Sequence, residues 1–169
     1  MGMTEQPTGK KAPLLILGLG NTLLSDDGIA IYAVRELQKC TAGAEGIHFE
    51  ETSEAGLALL DLLVGYDTVW ILDALPVKAE PYGAVHEIPA DEWDDSPLAS
   101  SPHYTGLPSL LQMGRKLGYY MPSQVRVFAI TVKDPFSVRE ELTPELQTAL
   151  PAIVQTFLDL LNNHRRDSR

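Results

Sequence analysis

The feature that most constrains the fold is a continuous apolar run near the start of the chain, from Leu14 to Leu17, that ends abruptly in a turn. The turn sequence is Gly18-Leu19-Gly20-Asn21. A strand that is apolar on every residue is typical of a parallel sheet, because such a strand is buried on both faces. The opening of the chain therefore predicts the first strand of a buried parallel sheet, followed by a tight turn.

The rest of the chain alternates between strand-like and helix-like patterns, which is typical of a parallel α/β fold. Further strands are predicted at Ile47–Glu51, Thr68–Asp73, Ala84–Ile88 and Val125–Thr131. Two helices are predicted from apolar residues at helical spacing: Ala30, Ala33, Val34 and Leu37 in the first, and Leu57, Leu60 and Leu63 in the second. A third is predicted from Tyr104 to Leu117. The last is predicted from Thr143 to about Leu161, where Pro151 can kink it. Thr143 is the expected cap of the last helix, and Pro144 its first residue.

This order predicts an α/β three-layer sandwich, with helices on both faces of a mostly parallel, twisted five-stranded sheet. Because parallel crossovers are right-handed, few topologies remain, and we expect the first strand between the second and third. The predicted organisation is a flexible lead-in over residues 1–12, one α/β domain over 13–162 and a basic tail over 163–169.

Composition excludes several classes of partner. The formal net charge of −10 argues against nucleic acid and against an anionic membrane surface, since both require basic patches. No apolar run is long enough to predict a transmembrane helix. The single cysteine, Cys40, is expected to be an idle or buried thiol, and with no secretion signal in the sequence the pattern favours the cytoplasm.

Acidic residues follow two of the predicted strands. Asp26 and Asp27 come shortly after the first strand, and Asp73 ends the third. Ligands of open α/β sheets bind beyond the carboxyl ends of strands where the winding reverses, so neighbouring first and third strands would bring these acids into one crevice. Each acid also has a simpler structural interpretation. Asp26 is favoured as a helix cap, Asp27 suits the first turn of a helix, and Asp73 can cap a turn.

A histidine completes the candidate site. His103 follows a long loop rich in Asp, Ser and Pro and precedes a predicted helix, so it can reach the same rim as the acids. A lone loop histidine is usually a surface residue. An imidazole with two carboxylates, however, forms an open site for a divalent ion such as Ni²⁺ or Zn²⁺. A metal role for His86 is not favoured, since it falls in a half-exposed strand.

Other motifs point to weaker alternatives. Gly18-x-Gly20 is half of a dinucleotide fingerprint, and Glu50 or Glu51 could contact a ribose, but Leu23 stands where the third glycine belongs. The sequence contains no Walker phosphate loop, no G-x-S-x-G elbow and no H-E-x-x-H zinc helix. The two acids and the histidine therefore remain the leading candidate site.

Several segments together resemble a known family. The stretch from Leu17 to Gly28, which reads LGLGNTLLSDDG, closely resembles the opening motif of the hydrogenase maturation endopeptidases. Ile71-Leu72-Asp73-Ala74 looks like their second motif, and Ser101-Pro102-His103 like their third. Leu142-Thr143-Pro144-Glu145 is similar to the family's last strand-to-helix stretch. The resemblance spans about Leu14 to Leu161, nearly the whole chain.

The resemblance implies a function and a set of site residues. Members cut the C-terminal extension from a [NiFe] hydrogenase large-subunit precursor once nickel has been inserted. Carried over by position, the residues implicated in nickel binding and catalysis are Asp27, Asp73 and His103. The nickel would be supplied by the precursor, and another divalent metal could occupy the site in isolation. The sandwich fold implied by the family agrees with the pattern described above.

Two departures and two alternatives accompany this hypothesis. The stretch from Glu50 to Gly56 lacks the Gly-Gly-Thr or Gly-Thr loop of many members, and Ala30 stands where glycine is frequent. Because that loop is linked to substrate recognition, the altered stretch leaves room for a non-catalytic nickel-dependent assembly chaperone. A different hydrolase, such as peptidyl-tRNA hydrolase, shares the Gly-Leu-Gly-Asn start but would need a basic groove.

Overall fold

The computed structural model describes residues 9–93 and 106–168, which form an α/β sandwich. The strands are β1 (Ala12–Leu19), β2 (Ile47–Thr52), β3 (Tyr66–Pro76), β4 (Val85–Ile88) and β5 (Gln124–Val132). The helices are α1 (Ile29–Cys40), α2 (Ala58–Leu63), α3 (Leu107–Lys116) and α4 (Pro144–Asp167), with short 3-10 turns at Ser25–Gly28 and Ala90–Glu92.

The five strands form one sheet in the order β2-β1-β3-β5-β4. The first four strands of that order pair in parallel, and β4 pairs antiparallel to β5 at the edge. The prediction that the first strand lies between the second and third is confirmed, as is the mostly parallel five-stranded sheet. The chain leaves β1 toward β2 and later returns across it to β3, so the winding reverses between β1 and β3.

Helices cover both faces of the sheet, as predicted. On one face α1 and α4 pack on a core that includes Ile16, Trp70 and Phe128. On the other face α2 and α3 pack on a second core that includes Leu15 and Ile71. Residues of β1 and β3 thus alternate between two cores, which explains why both strands read as continuous apolar runs.

Helix α1 lies unusually close to β1 because of a glycine. A Cβ atom at Gly18 would lie 3.0 Å from the carbonyl oxygen of Ala30 and 3.0 Å from a methyl group of Val34. The alanine at position 30 therefore packs against a strand residue that has no side chain.

The last helix is longer than predicted. It begins at Pro144, after Thr143, and continues through Pro151 to Asp167, beyond the expected end near Leu161. Residues 163–167 of the predicted basic tail therefore belong to this helix. The reason is packing, because the His164 ring lies edge-on to the buried Trp70 ring with centroids 5.6 Å apart.

Three smaller predictions also need adjustment. Leu57 is 64% exposed and precedes α2, whereas Leu60 and Leu63 are buried as expected. The first strand begins at Ala12, one residue inside the predicted lead-in, and residues 1–8 lie outside the described part of the chain. Cys40 ends α1 with an exposed free thiol.

Over the described ranges, no helix combines the length and the apolar character needed to cross a membrane.

Candidate active site

Asp73 lies where β1 and β3 separate. The parallel pairing of these strands ends at Gly18 and Leu72, so Asp73 is the first residue of β3 beyond the last pair. Its side chain is almost completely buried, and its Oδ1 accepts a hydrogen bond from the Ala74 amide at 2.8 Å. A carboxylate is costly to bury, so its place at the reversal of the winding is typical of a functional residue.

The expected end of the third strand at Asp73 is wrong. Strand β3 continues to Pro76, because its other edge keeps pairing with β5, where Asp73 lies opposite Ala129. The Asp73 backbone is therefore paired with β5 on one side, while on the other side it extends beyond the last residue that pairs with β1. This placement makes its position more rigid than a loop residue would be.

Asp27 lies on the 3-10 turn that follows β1, and this turn also contacts β3. The residue is half-buried, and its Oδ2 accepts a hydrogen bond from the Asn21 amide at 2.8 Å. The turn folds closely over the end of β1, since a Cβ atom at Gly20 would lie 2.0 Å from the Asp27 carbonyl oxygen. Asp27 and Asp73 thus follow β1 and β1's last pairing with β3 at the same end of these strands, and the meeting of their carboxylates in one site stays a prediction.

The expectation that Asp27 occupies the first turn of an α-helix is wrong in detail. Helix α1 begins at Ile29, and Gly28 is its N-cap residue without a side-chain hydrogen bond. The 3-10 turn between β1 and α1 carries Asp27, which precedes the first residue of the helix by two positions.

Asp26 is not a helix cap, contrary to the favoured structural interpretation. Its carboxylate is fully buried and accepts hydrogen bonds from a remote segment. The donors are the amides of Lys133, Asp134 and Thr143 at 3.2, 2.9 and 2.7 Å, and the Thr143 hydroxyl at 3.0 Å. Asp26 therefore joins the turn carrying Asp27 to the segment between β5 and α4.

Thr143 has the position predicted for it but a different role. It is the N-cap residue of α4, yet its hydroxyl makes no capping hydrogen bond to the helix and donates to Asp26 instead. The sequence contained no local signal for this contact, because the two residues are 117 positions apart.

His103, the third predicted site residue, falls within 94–105 and lies outside the described residues. Over 9–93 and 106–168, no group of three or more His, Cys, Asp or Glu side chains could hold a metal ion. Two carboxylates at one edge form an incomplete set of oxygen ligands that would need donors from elsewhere. The role of His103 therefore stays a prediction.

Two acids of β2, Glu50 and Glu51, were the candidates for contacting the ribose of a dinucleotide, and Glu51 is bound by a neighbouring side chain. Glu51 accepts two hydrogen bonds from the Arg35 guanidinium, at 2.8 and 2.6 Å. This bidentate ion pair ties β2 to α1, and it explains the acid without a ribose.

An apolar recess lies between the residues that begin α2 and the first two turns of α3. Its volume is about 160 Å³, and it is lined by Gly56 and Leu57 on one side and by Leu107 and Met113 on the other. Glycine 56 belongs to the loop after β2, where the sequence departs from the common family pattern. The altered loop thus borders a concave surface and not a flat one.

Comparison with known proteins identifies relatives along most of the chain. The sequence profile of the family described as HycI, hydrogenase maturation protease, matches residues 31–160, a range that includes Asp73 and begins just after Asp27. The chain is 26% identical to the hydrogenase 2 maturation protease of Escherichia coli, covering 87% of this chain and 90% of that protein. It is 25% identical to the hydrogenase expression/formation protein HupD of Rhizobium leguminosarum bv. viciae, over 89% of this chain and 74% of that protein.

A solved structure shares the fold. The hydrogenase maturating endopeptidase HybD from Escherichia coli superimposes with a TM-score of 0.71 at 22% identity, over 90% of this chain and 93% of that chain.

Proposed function

The chain belongs to the hydrogenase maturation protease family and is a peptidase, and on that premise we propose that it removes the C-terminal extension of a [NiFe] hydrogenase large-subunit precursor after nickel insertion. The observation that carries this proposal is the pair of carboxylates at the reversal of the sheet. Asp73 is buried one residue beyond the last β1–β3 pair, and Asp27 lies on the turn that contacts the same strand.

In this proposal nickel is part of the substrate. Asp27, Asp73 and His103 supply some of its ligands, and the precursor supplies the rest. Carboxylate oxygens and an imidazole nitrogen suit a divalent ion of this kind. An incomplete set of protein ligands is what such a mechanism requires, since a closed cage would leave no position for the precursor.

The chain's own residues would position and activate the reaction. A nickel ion can polarise the scissile carbonyl or lower the pKa of a water molecule. Asp73 or Asp27 would accept a proton from the attacking water as general base. The nearly complete burial of Asp73 limits competing contact with bulk solvent, which strengthens its electrostatic interaction with the reacting groups.

Cleavage should depend on the metal state of the precursor. Purified enzyme is incubated with nickel-loaded and with nickel-free precursor, and the masses of both are measured over time. We expect the nickel-loaded form to lose its C-terminal extension and the nickel-free form to stay intact, because the ion aligns the two proteins. Equal cleavage of both forms would refute nickel recognition, and no cleavage of either would refute the proposed peptidase substrate.

A further inference from the structure

Three large apolar side chains are exposed to solvent near the 3-10 turn that carries Asp27, either just before it in the chain or in the segment that pairs with it. Leu23 is 53% exposed, Phe136 is 76% exposed and Val138 is 87% exposed. A single exposed apolar residue needs no explanation, but a group of them marks an interaction surface. We refer to Leu23, Phe136 and Val138 as the apolar rim patch.

The two segments that form the patch are bonded to each other. A parallel bridge pairs Leu24 with Arg139, so Leu23 falls opposite Val138 in its register. The Arg139 amide donates to the Leu23 carbonyl at 2.9 Å, and the Ser25 amide donates to the Arg139 carbonyl at 2.8 Å. Leu23 and Val138 are therefore neighbours from two distant parts of the chain, and Phe136 lies two residues before Val138.

Further hydrogen bonds hold the second segment in place. Besides the Asp26 carboxylate described above, the Ser25 hydroxyl donates to the Glu141 carbonyl at 2.9 Å, and the Tyr32 hydroxyl to the Glu140 carbonyl at 2.7 Å. Within the segment, the Phe136 amide donates to the Asp134 carboxylate at 3.1 Å. The backbone that carries the exposed side chains is therefore already ordered in the free protein. Because it need not be ordered on binding, the entropy cost of binding is lower.

We propose that the apolar rim patch is a docking surface for the hydrogenase precursor, which binds it through apolar surface bordering its metal site. This inference rests on the proposed function. A protein whose metal reaches Asp27 must approach the residues on either side of the 3-10 turn, and Leu23 lies two residues before that turn. Buried aromatic side chains at the centre of an interface often carry much of the binding energy, and Phe136 is suited to that role.

Two other occupants are less favoured by the charge of the chain. The net charge of −10 would repel an anionic membrane. A second copy of the chain would bring the same charge to the contact. The precursor is therefore the occupant that we assign.

The test is the affinity of nickel-loaded precursor for three forms of the enzyme, measured by calorimetry. They are the wild type, the double variant Phe136→Ser/Val138→Ser, and Leu117→Ser as a matched control. Leu117 is 58% exposed at the end of α3, on the opposite edge of the sheet. We expect the double variant to bind about tenfold or more weakly, within the range of interface hot spots, and the control to bind as the wild type does.

A kinetic readout and a second variant separate docking from catalysis and from folding. The double variant should cut saturating precursor with the wild-type kcat but show a raised KM. The reason is that the lost contacts bind the substrate and the transition state equally. Leu23→Ser, on the other segment, should weaken binding in the same direction. Circular dichroism should show unchanged folding, because the replaced side chains are mostly exposed.

Each outcome decides the inference. Unchanged affinity in the double variant, with wild-type cleavage intact, would overturn the docking surface and leave the proposed function standing. A wild type that binds but does not cut would refute the proposed reaction, while the affinities would still decide the patch. A wild type that neither binds nor cuts would overturn both. A wild-type dimer that the double variant converts to monomer, with precursor affinity unchanged, would assign the patch to a second copy.

Discussion

Replacing Asp73 by asparagine is expected to reduce precursor processing by roughly 10²–10⁴-fold, the range that a general base contributes. The substitution keeps the shape of the side chain, and an amide oxygen can still accept the hydrogen bond that the Ala74 amide donates. It removes the negative charge and the basicity at the reversal of the sheet. Cleavage is measured by mass spectrometry, and the fold by circular dichroism.

Asp67 offers a matched control on the same strand. It lies near the amino end of β3, where it pairs with Lys10 at 2.5 Å and accepts a hydrogen bond from Tyr120. The hydrogen bonds from Lys10 and Tyr120 lower the pKa of the Asp67 carboxyl. Asp67→Asn therefore removes an equivalent, partnered charge at the opposite edge, and processing should be unchanged. Full activity in Asp73→Asn would exclude this carboxylate from the reaction.

Replacing Asp26 by alanine is expected to destabilise the fold by about 3–5 kcal/mol, because three backbone amides and a hydroxyl lose their buried acceptor. For a chain of this size, a loss of that magnitude lowers the melting temperature by about 6–20 °C. The effect reaches both the turn carrying Asp27 and the start of α4, since Asp26 joins them. The change is measured by thermal and urea unfolding.

Two comparison variants sharpen this prediction. Asp26→Asn keeps one acceptor oxygen and should lose less stability than Asp26→Ala. Asp61→Ala removes an exposed acid of α2 and should shift the unfolding midpoint very little. If Asp26→Ala unfolded like Asp61→Ala, the buried carboxylate would not be the link between the two segments.

The order of the strands and helices could be predicted because each element has its own local pattern of apolar and polar residues. Apolar runs such as Leu14–Leu17 reveal buried strands, and the connection rules then leave few positions for β1. The expectation that Asp27 and Asp73 lie at the same end of β1 and β3 followed from the same topology, without knowledge of any side-chain contact. Both conclusions depend only on periodicity and on which strand ends meet.

The errors arose where partners are remote in sequence. Asp26 looked like a helix cap because its partners, residues 133–143, give no sign of their position in the local pattern. The end of β3 was misplaced because pairing with β5 extends that strand past Asp73. The end of α4 was misplaced because His164 packs against Trp70, which local helix signals do not encode. Tertiary contacts decided each case.

The measurement that tests the central claim most directly is a crystal structure of the enzyme soaked with Ni²⁺, with the ion located by its anomalous scattering. We expect one ion at the edge between β1 and β3, with oxygen atoms of Asp27 and Asp73 and a ring nitrogen of His103 each about 2.0–2.2 Å away, the usual range for a first-row divalent ion. Water molecules would fill the positions that the precursor supplies. An ion bound elsewhere, or an imidazole at position 103 turned away from both carboxylates in the metal-bound enzyme, would contradict the account.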